Sequence, residues 1–83
     1  MDTAEAFGKV LRRTRLEAGF TQEGLAFAAE LQRNYISLME RGHHEPTLST
    51  LISLSNALER SPMDLLSETL AAVQGAAPAD PPI

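Results

Sequence analysis

Helix start and stop signals divide this chain into short segments. Thr21, Thr47 and Ser61 are of the residue types that cap helix N-termini, and a proline follows Ser61, where the first helical position favours it. Gly19 and Gly42 follow two of the segments, at the place where a left-handed C-terminal residue is expected. These signals predict five helices, at residues 3–18, 22–29, 32 or 33 to 41, 48–58 and 62–73.

Apolar residues recur at helical spacing inside these segments. In the first, Phe7, Leu11, Thr14 and Ala18 lie three to four residues apart. The stripe of the fourth is mostly apolar and is formed by Leu48, Leu51, Ile52, Leu54, Ser55 and Leu58. The expected fold class is therefore all-α, and 83 residues leave room for one domain. We expect this domain to span residues 1–74 and the segment GAAPADPPI, residues 75–83, to be a flexible C-terminal tail.

The composition argues against several classes of protein. Without cysteine the chain has no disulfide framework and no thiolate metal site, and the adjacent His43 and His44 make a poor metal pair, so we expect no metal and no cofactor. No apolar run approaches the roughly 18 residues of a membrane span, and the N-terminus lacks the plan of a signal peptide. No nucleophile–base pair or phosphate-cradling loop is recognisable. We therefore expect a cytoplasmic protein that is not an enzyme, with no membrane partner and no small-molecule ligand.

The negative charge is confined to the second half of the chain. The formal net charge is -4. Residues 1–44 hold six basic and six acidic side chains, whereas residues 45–83 hold one basic side chain, Arg60, and five acidic ones. If the chain binds nucleic acid, the first half must therefore make the contact and the acidic half must face away.

The segment from Thr21 to Gly42 contains two short helices joined by a tight turn. Ala26 and Ala29 are small, so the two helices can cross closely and share a core. The crossing leaves the N-terminal part of the third helix protruding. Its side chains suit the hydrogen-bonding edges of bases, and they are Gln32, Arg33, Asn34 and Ser37.

Five runs extend this pattern over most of the chain: FGKVLRRTR, GFTQEGLA, YISLMERG, PTLSTLISLSNAL and PMDLL, within residues 7–66. In these runs the sequence resembles the phage repressor and Cro type of helix-turn-helix regulator, the xenobiotic response element family. Among short members it resembles the controller proteins of restriction–modification systems. The resemblance implies a five-helix lambda-repressor-like domain that regulates transcription, as a repressor or activator, by binding double-stranded DNA. A homodimer would place the third helix of each subunit in the major groove of a pseudo-palindromic operator, which implies a nucleoid-associated protein.

The same resemblance assigns roles to individual residues. Base reading is carried over to Arg33, Asn34, Ser37 and Leu38, with Gln32 beside them. Contacts with the DNA backbone are carried over to Gln22, Tyr35, Arg41 and His43. A buried ion pair between the first and third helices is carried over to Arg15 and Glu40. Alternatives remain open here: Gln22 could serve only as a helix-capping residue, Tyr35 could complete the edge of the core, and His43 could simply face water.

Three positions depart from the family pattern. Glu30 replaces the usual turn glycine, so the turn must either avoid a left-handed residue or tolerate strain. Gln32 stands where a serine or threonine N-cap is common, which weakens the cap. Arg60 replaces a core valine or isoleucine, and its methylene groups can pack while its charged end reaches water.

Leu66, Leu70 and Val73 continue the apolar stripe of the fifth helix beyond the point where a monomer core is complete. They predict a two-fold dimer interface, although they could also finish the core of the monomer. A different class of function also fits the short acidic chain. In that alternative, an antitoxin or anti-repressor uses the same fold to hold a partner protein.

Overall fold

The computed structural model describes residues 1–75, and these residues form five α-helices without a strand. Their bounds are α1 Thr3–Glu17, α2 Gln22–Ala29, α3 Arg33–Glu40, α4 Leu48–Leu58 and α5 Pro62–Val73. The all-α, five-helix fold is confirmed. Most of the segment expected to be a tail, residues 76–83, lies outside the described residues. Within residues 1–75, no helix is long and apolar enough to cross a membrane.

Side-chain caps begin four of the five helices. Asp2 accepts a hydrogen bond from the Glu5 N–H at 2.8 Å, and Thr21 accepts one from the Gly24 N–H at 2.9 Å. Thr47 and Ser61 cap α4 and α5 in the same way, each at 3.1 Å. Each cap satisfies an N–H that has no partner inside the helix and contributes about 1 kcal/mol. The helix starts are therefore encoded locally.

The core lies where α1 packs against α3 and α5, and where α2 packs against α3 and α4. Its largest fully buried apolar side chains come from all five helices, and they are Leu11, Leu25, Ile36, Met39, Leu54 and Leu65. Gly8 permits the close crossing of α1 and α3. A Cβ atom at Gly8 would lie 2.8 Å from the Glu40 carbonyl oxygen and closer still to that of Met39. The position of α3 therefore depends on a glycine that the sequence analysis did not single out.

The turn between α2 and α3 contains a strained residue. Glu30 ends α2 with φ 58° and ψ 43°, in the left-handed region that favours glycine. The N–H of Leu31 reaches back to the Ala26 carbonyl at 2.8 Å, which closes the turn. Of the two outcomes that the sequence left open at this position, the structure has the one with strain.

Arg60 differs from the sequence expectation because its charged end meets a carboxylate. Its guanidinium donates to one oxygen of Glu68, and the guanidinium of Arg13 donates to the other oxygen. Glu68 thereby links α5 to α1 and to the turn that precedes α5. The side chains of Arg60 and Glu68 are about one third exposed, so water still screens this link.

Candidate nucleic-acid interface

The N-terminal end of α3 presents polar side chains to solvent. Gln32, Arg33 and Asn34 are exposed, and Gln32 makes no side-chain hydrogen bond to cap the helix, as its residue type led us to expect. On the opposite side of α3, Ile36 and Met39 are completely buried. The helix is thus held by its apolar side while its polar side stays free. Ser37 and Leu38 lie one turn further on and are half-buried.

A buried ion pair connects α1 to the end of α3. Arg15 Nε lies 2.6 Å from Glu40 Oε2, and Arg15 Nη2 lies 3.0 Å from Glu40 Oε1. A third donor, Nη1 of Arg15, reaches the Phe20 carbonyl oxygen at 2.8 Å. The two side chains are 8% and 3% exposed, so neither charge is well solvated and each depends on its partner. This pair ties the last residue of α3 to α1.

Gln22, the first residue of α2, also binds this pair. Its Nε2 donates to Glu40 Oε1 at 3.1 Å. An amide nitrogen carries two hydrogens, so one donor remains for another acceptor. Gln22 lies beside an open groove of about 460 Å³ that is also lined by Arg15, Thr21, Glu23 and Arg33. The groove lies between the start of α2 and the start of α3.

The loop after α3 holds the remaining candidates for backbone contact. Arg41 and His43 are exposed. Gly42 has φ 78°, and the His43 N–H returns to the Leu38 carbonyl at 2.9 Å, so the loop turns sharply at the end of the helix. Tyr35 is half-buried against the core, and its ring stands edge-on to the ring of His44. Tyr35 therefore combines a place at the edge of the core with a partly accessible ring.

The predicted contact residues fall into three adjacent groups. The candidates for base reading lie on the first two turns of α3. Most candidates for backbone contact lie at the start of α2 and in the loop beyond α3, whereas Tyr35 lies on α3 itself. An eight-residue helix is about 12 Å long. This length is comparable to the width of the major groove of B-DNA, which is about 12 Å.

A second surface on α4 and α5 is apolar. Leu66 and Leu70 of α5 are each 55% exposed, and Val73 is half-buried. Leu48 and Ile52, which belong to the mostly apolar stripe of α4, are 79% and 50% exposed. A helix of this width can bury only one stripe, and Leu54, Ser55 and Leu58 occupy it. A cleft of about 150 Å³, lined by Leu48, Leu51 and Leu66 among others, joins the exposed parts of the two helices.

Comparison with known proteins agrees with this geometry. A family model for helix-turn-helix proteins matches residues 11–65. The control protein C.BamHI of Bacillus amyloliquefaciens is 42% identical over 64 residues, which cover 76% of this chain and 79% of that protein. The crystal structure of the clp gene regulator ClgR from Corynebacterium glutamicum superposes with a TM-score of 0.84 at 34% identity, covering 89% of this chain and 79% of that one.

A third similar protein was solved on DNA. The restriction–modification controller protein C.Esp1396I, as a tetramer with its natural 35-base-pair operator, gives a TM-score of 0.78 at 30% identity. The match covers 89% of this chain and 97% of that chain. The chain belongs to the helix-turn-helix family of DNA-binding transcriptional regulators, and the resemblance found in its sequence is confirmed.

Proposed function

We propose that the protein regulates transcription as a homodimer on a pseudo-palindromic operator, with α3 of each subunit in the major groove. The observation that carries this proposal is the exposed N-terminal end of α3, where Arg33 and Asn34 project from a helix whose other side is buried. The apolar side of α3 is fixed in the core, whereas the polar side chains at its N-terminal end are free. Arg33 and Asn34 can therefore contact nucleobases without any rearrangement of the core.

Direct reading of sequence falls to the first two turns of α3. Arg33 has a planar guanidinium that pairs with guanine in bidentate fashion, and Asn34 can pair in the same way with adenine. Gln32 adds a second amide at the same end of the helix. Ser37 and Leu38, one turn on, reach less far; the hydroxyl of Ser37 can bond a base edge, and Leu38 can contact a thymine methyl group.

Contacts with phosphates fix the register on the duplex. Gln22 donates its second amide hydrogen to a phosphate. Arg41 and His43 contact the sugar-phosphate backbone on the other side of α3. Tyr35 packs its partly accessible ring against the sugar-phosphate backbone. These contacts carry no sequence information, but they place Arg33 and Asn34 at defined base pairs.

The apolar surface of α4 and α5 forms the dimer interface in this proposal. The part of this surface on α5 is formed by Leu66, Leu70 and Val73. The exposed Leu48 and Ile52 extend it onto α4. A two-fold axis through it sets the two α3 helices about 34 Å apart, which is one turn of B-DNA. The tetrameric assembly of the similar controller protein C.Esp1396I on its operator supports a multimeric regulator.

Binding, rather than catalysis, accounts for the whole activity in this proposal. The protein acts in the cytoplasm, on the chromosome, without a small-molecule effector. Its similarity to the control proteins C.BamHI and C.SmaI favours the promoter of a restriction–modification system as the regulated target. The acidic residues of α5, Asp64 and Glu68, lie on the helix that supplies Leu66, Leu70 and Val73 to the proposed dimer surface, and not on α2 or α3.

Selection of bound duplexes from a random library tests this proposal. We expect a pseudo-palindrome whose half-sites are centred about 10 base pairs apart, and a specific band in gel shifts at moderate salt. A lone half-site, or binding without sequence preference, would contradict the dimer or the base-reading assignment. The protein-interaction alternative predicts no specific band with any duplex.

A further inference from the structure

The ring of Tyr35 lies between the core and the surface proposed to face DNA. One side of the ring packs against the hydrophobic core, while the residue as a whole is only half-buried. An aromatic side chain in such a position has more than one staggered rotamer open to it unless a second group restrains it. A restrained ring would bind the DNA backbone with less loss of conformational entropy.

His44 supplies such a restraint. The centroids of its ring and the ring of Tyr35 are 6.0 Å apart, and the two planes meet at 81°. This is the edge-to-face arrangement that aromatic pairs prefer. His44 is itself exposed and belongs to the loop that follows α3, so the contact lies at the surface.

The loop that carries His44 is anchored at its start, just before His44. The N–H of Gly42 donates to the Met39 carbonyl at 3.0 Å, and the N–H of His43 donates to the Leu38 carbonyl at 2.9 Å. A Cβ atom at Gly42 would lie 3.2 Å from the Cα atom of Glu5, so the loop also packs closely against the first turn of α1. The two residues that precede His44 are therefore fixed relative to α3 and α1.

We propose that His44 is a positioning residue for Tyr35. Its imidazole ring holds the tyrosine ring in the orientation that contacts the duplex backbone, and it raises operator affinity through Tyr35 rather than by touching DNA. This inference depends on the proposed function, because it assigns His44 to the same operator-binding surface. It gives the exposed second histidine of the loop a role that neither base reading nor phosphate contact requires.

A double-mutant cycle tests the dependence on Tyr35. The wild type, His44→Ala, Tyr35→Leu and the double variant are titrated against a duplex selected by the wild type. Leucine keeps most of the bulk that packs on the core, and thermal unfolding of each variant verifies the fold. We expect His44→Ala to weaken binding by about two- to tenfold, the range that an aromatic pair of this geometry supports. In the Tyr35→Leu background, His44→Ala should have no further effect.

Two further variants separate positioning from direct contact. His44→Phe keeps an aromatic edge but loses both ring nitrogens, so its affinity should stay within about twofold of the wild type. His43→Ala is the control in the neighbouring position, and its effect should persist in the Tyr35→Leu background. If His44→Ala weakens binding equally in both backgrounds, or if His44→Phe binds as weakly as His44→Ala, the inference is wrong although the regulator assignment stands. If the wild type selects no duplex, the proposed function fails and the inference fails with it.

Discussion

Arg33 and Asn34 have side chains without an intramolecular hydrogen bond or ion pair among residues 1–75. Other charged residues near α3, such as Arg15 and Glu40, are held in a buried pair. An arginine that is already paired would have to break that pair before it could bind a base. The free guanidinium of Arg33 is therefore available to DNA without such a cost.

Replacing Arg33 by alanine should relax specificity without loss of stability. We expect a loss of about 1–3 kcal/mol in discrimination at a single base position, because one bidentate contact is removed. Competition binding between the selected operator and its single-base variants measures this. Arg12→Ala is the control, since Arg12 is exposed on α1 and should affect all duplexes alike. Unchanged operator preference in Arg33→Ala would contradict the assignment.

The Arg15–Glu40 pair predicts a large loss of stability when one partner is removed. Glu40→Ala leaves a buried guanidinium without its carboxylate, and we expect unfolding to become easier by about 3–5 kcal/mol. Urea denaturation monitored by circular dichroism measures this change. Glu17 is the matched control, because its pair with Arg13 is 3.8 Å long and more than half exposed. Glu17→Ala should cost no more than about 1 kcal/mol, and equal losses in the two variants would refute the assigned role of burial.

At the scale of secondary structure, the sequence predicts helix starts better than it predicts which faces are buried. Caps such as Thr21 and Ser61 act within one turn, so residue type alone locates them. Leu48 and Ile52 show the limit of this approach, since both fit the apolar stripe of α4 and yet are exposed. The packing of the other helices decides which of two adjacent apolar stripes faces the core. The local sequence pattern of α4 does not contain that information.

Contacts between distant segments are missed for the same reason. The hydrogen bond from Gln22 to Glu40 joins residues 18 positions apart. The close approach at Gly8 involves the far end of α3, and its only sequence signal is a glycine inside a helical pattern. The resemblance is sufficient to name the candidate contact residues. The groove between Gln22 and Arg33 could not be predicted in this way, because residues of separate helices form it.

The left-handed Glu30 predicts a stabilising substitution in the turn between α2 and α3. Glu30→Gly should remove the strain of a residue with a side chain in the left-handed backbone conformation, which is about 1–2 kcal/mol. The greater conformational freedom of glycine in the unfolded chain offsets part of that gain. We expect a net increase in the free energy of unfolding of roughly 0.5–1 kcal/mol, measured by chemical denaturation.

Glu30→Gln is the control for this turn, because it removes the charge and keeps the Cβ atom. It should leave stability nearly unchanged. Glu59, which ends α4 with φ 56°, offers a second test, and Glu59→Gly should give a gain of the same size. A gain in Glu30→Gln equal to that in Glu30→Gly would mean that charge, and not backbone strain, destabilises the turn.

For the molecule as a whole, the two candidate surfaces are formed by different helices, and this division agrees with the charge distribution along the chain. The surface built from α2, α3 and the following loop belongs to the half of the chain with balanced charge. The apolar surface of α4 and α5 belongs to the acidic half. In the proposed function, a duplex binds the first surface and a second subunit binds the other.

Leu70→Asp should produce monomers that remain folded. Leu70 is 55% exposed in the single chain, so aspartate costs little in the monomer but places two charges in an apolar interface. Analytical ultracentrifugation should show the loss of dimer, and operator affinity should fall with it. Leu16→Asp is the matched control, because Leu16 is 54% exposed on α1 and is not one of the residues of the proposed interface. A Leu70→Asp variant that sediments as a dimer would refute the proposed interface.

The uncovered leucines of α4 and α5 also bear on how sharply a gene under this protein would respond. While most subunits are single, the number of pairs rises with the square of the amount synthesised. A promoter that responds only to dimers would therefore respond weakly to the first subunits made, and more steeply as subunits accumulate. In the proposed dimer, the amount of protein needed for this response depends on how strongly α5 holds two subunits together, so one substitution on α5 would change that amount without altering the contacts with the operator.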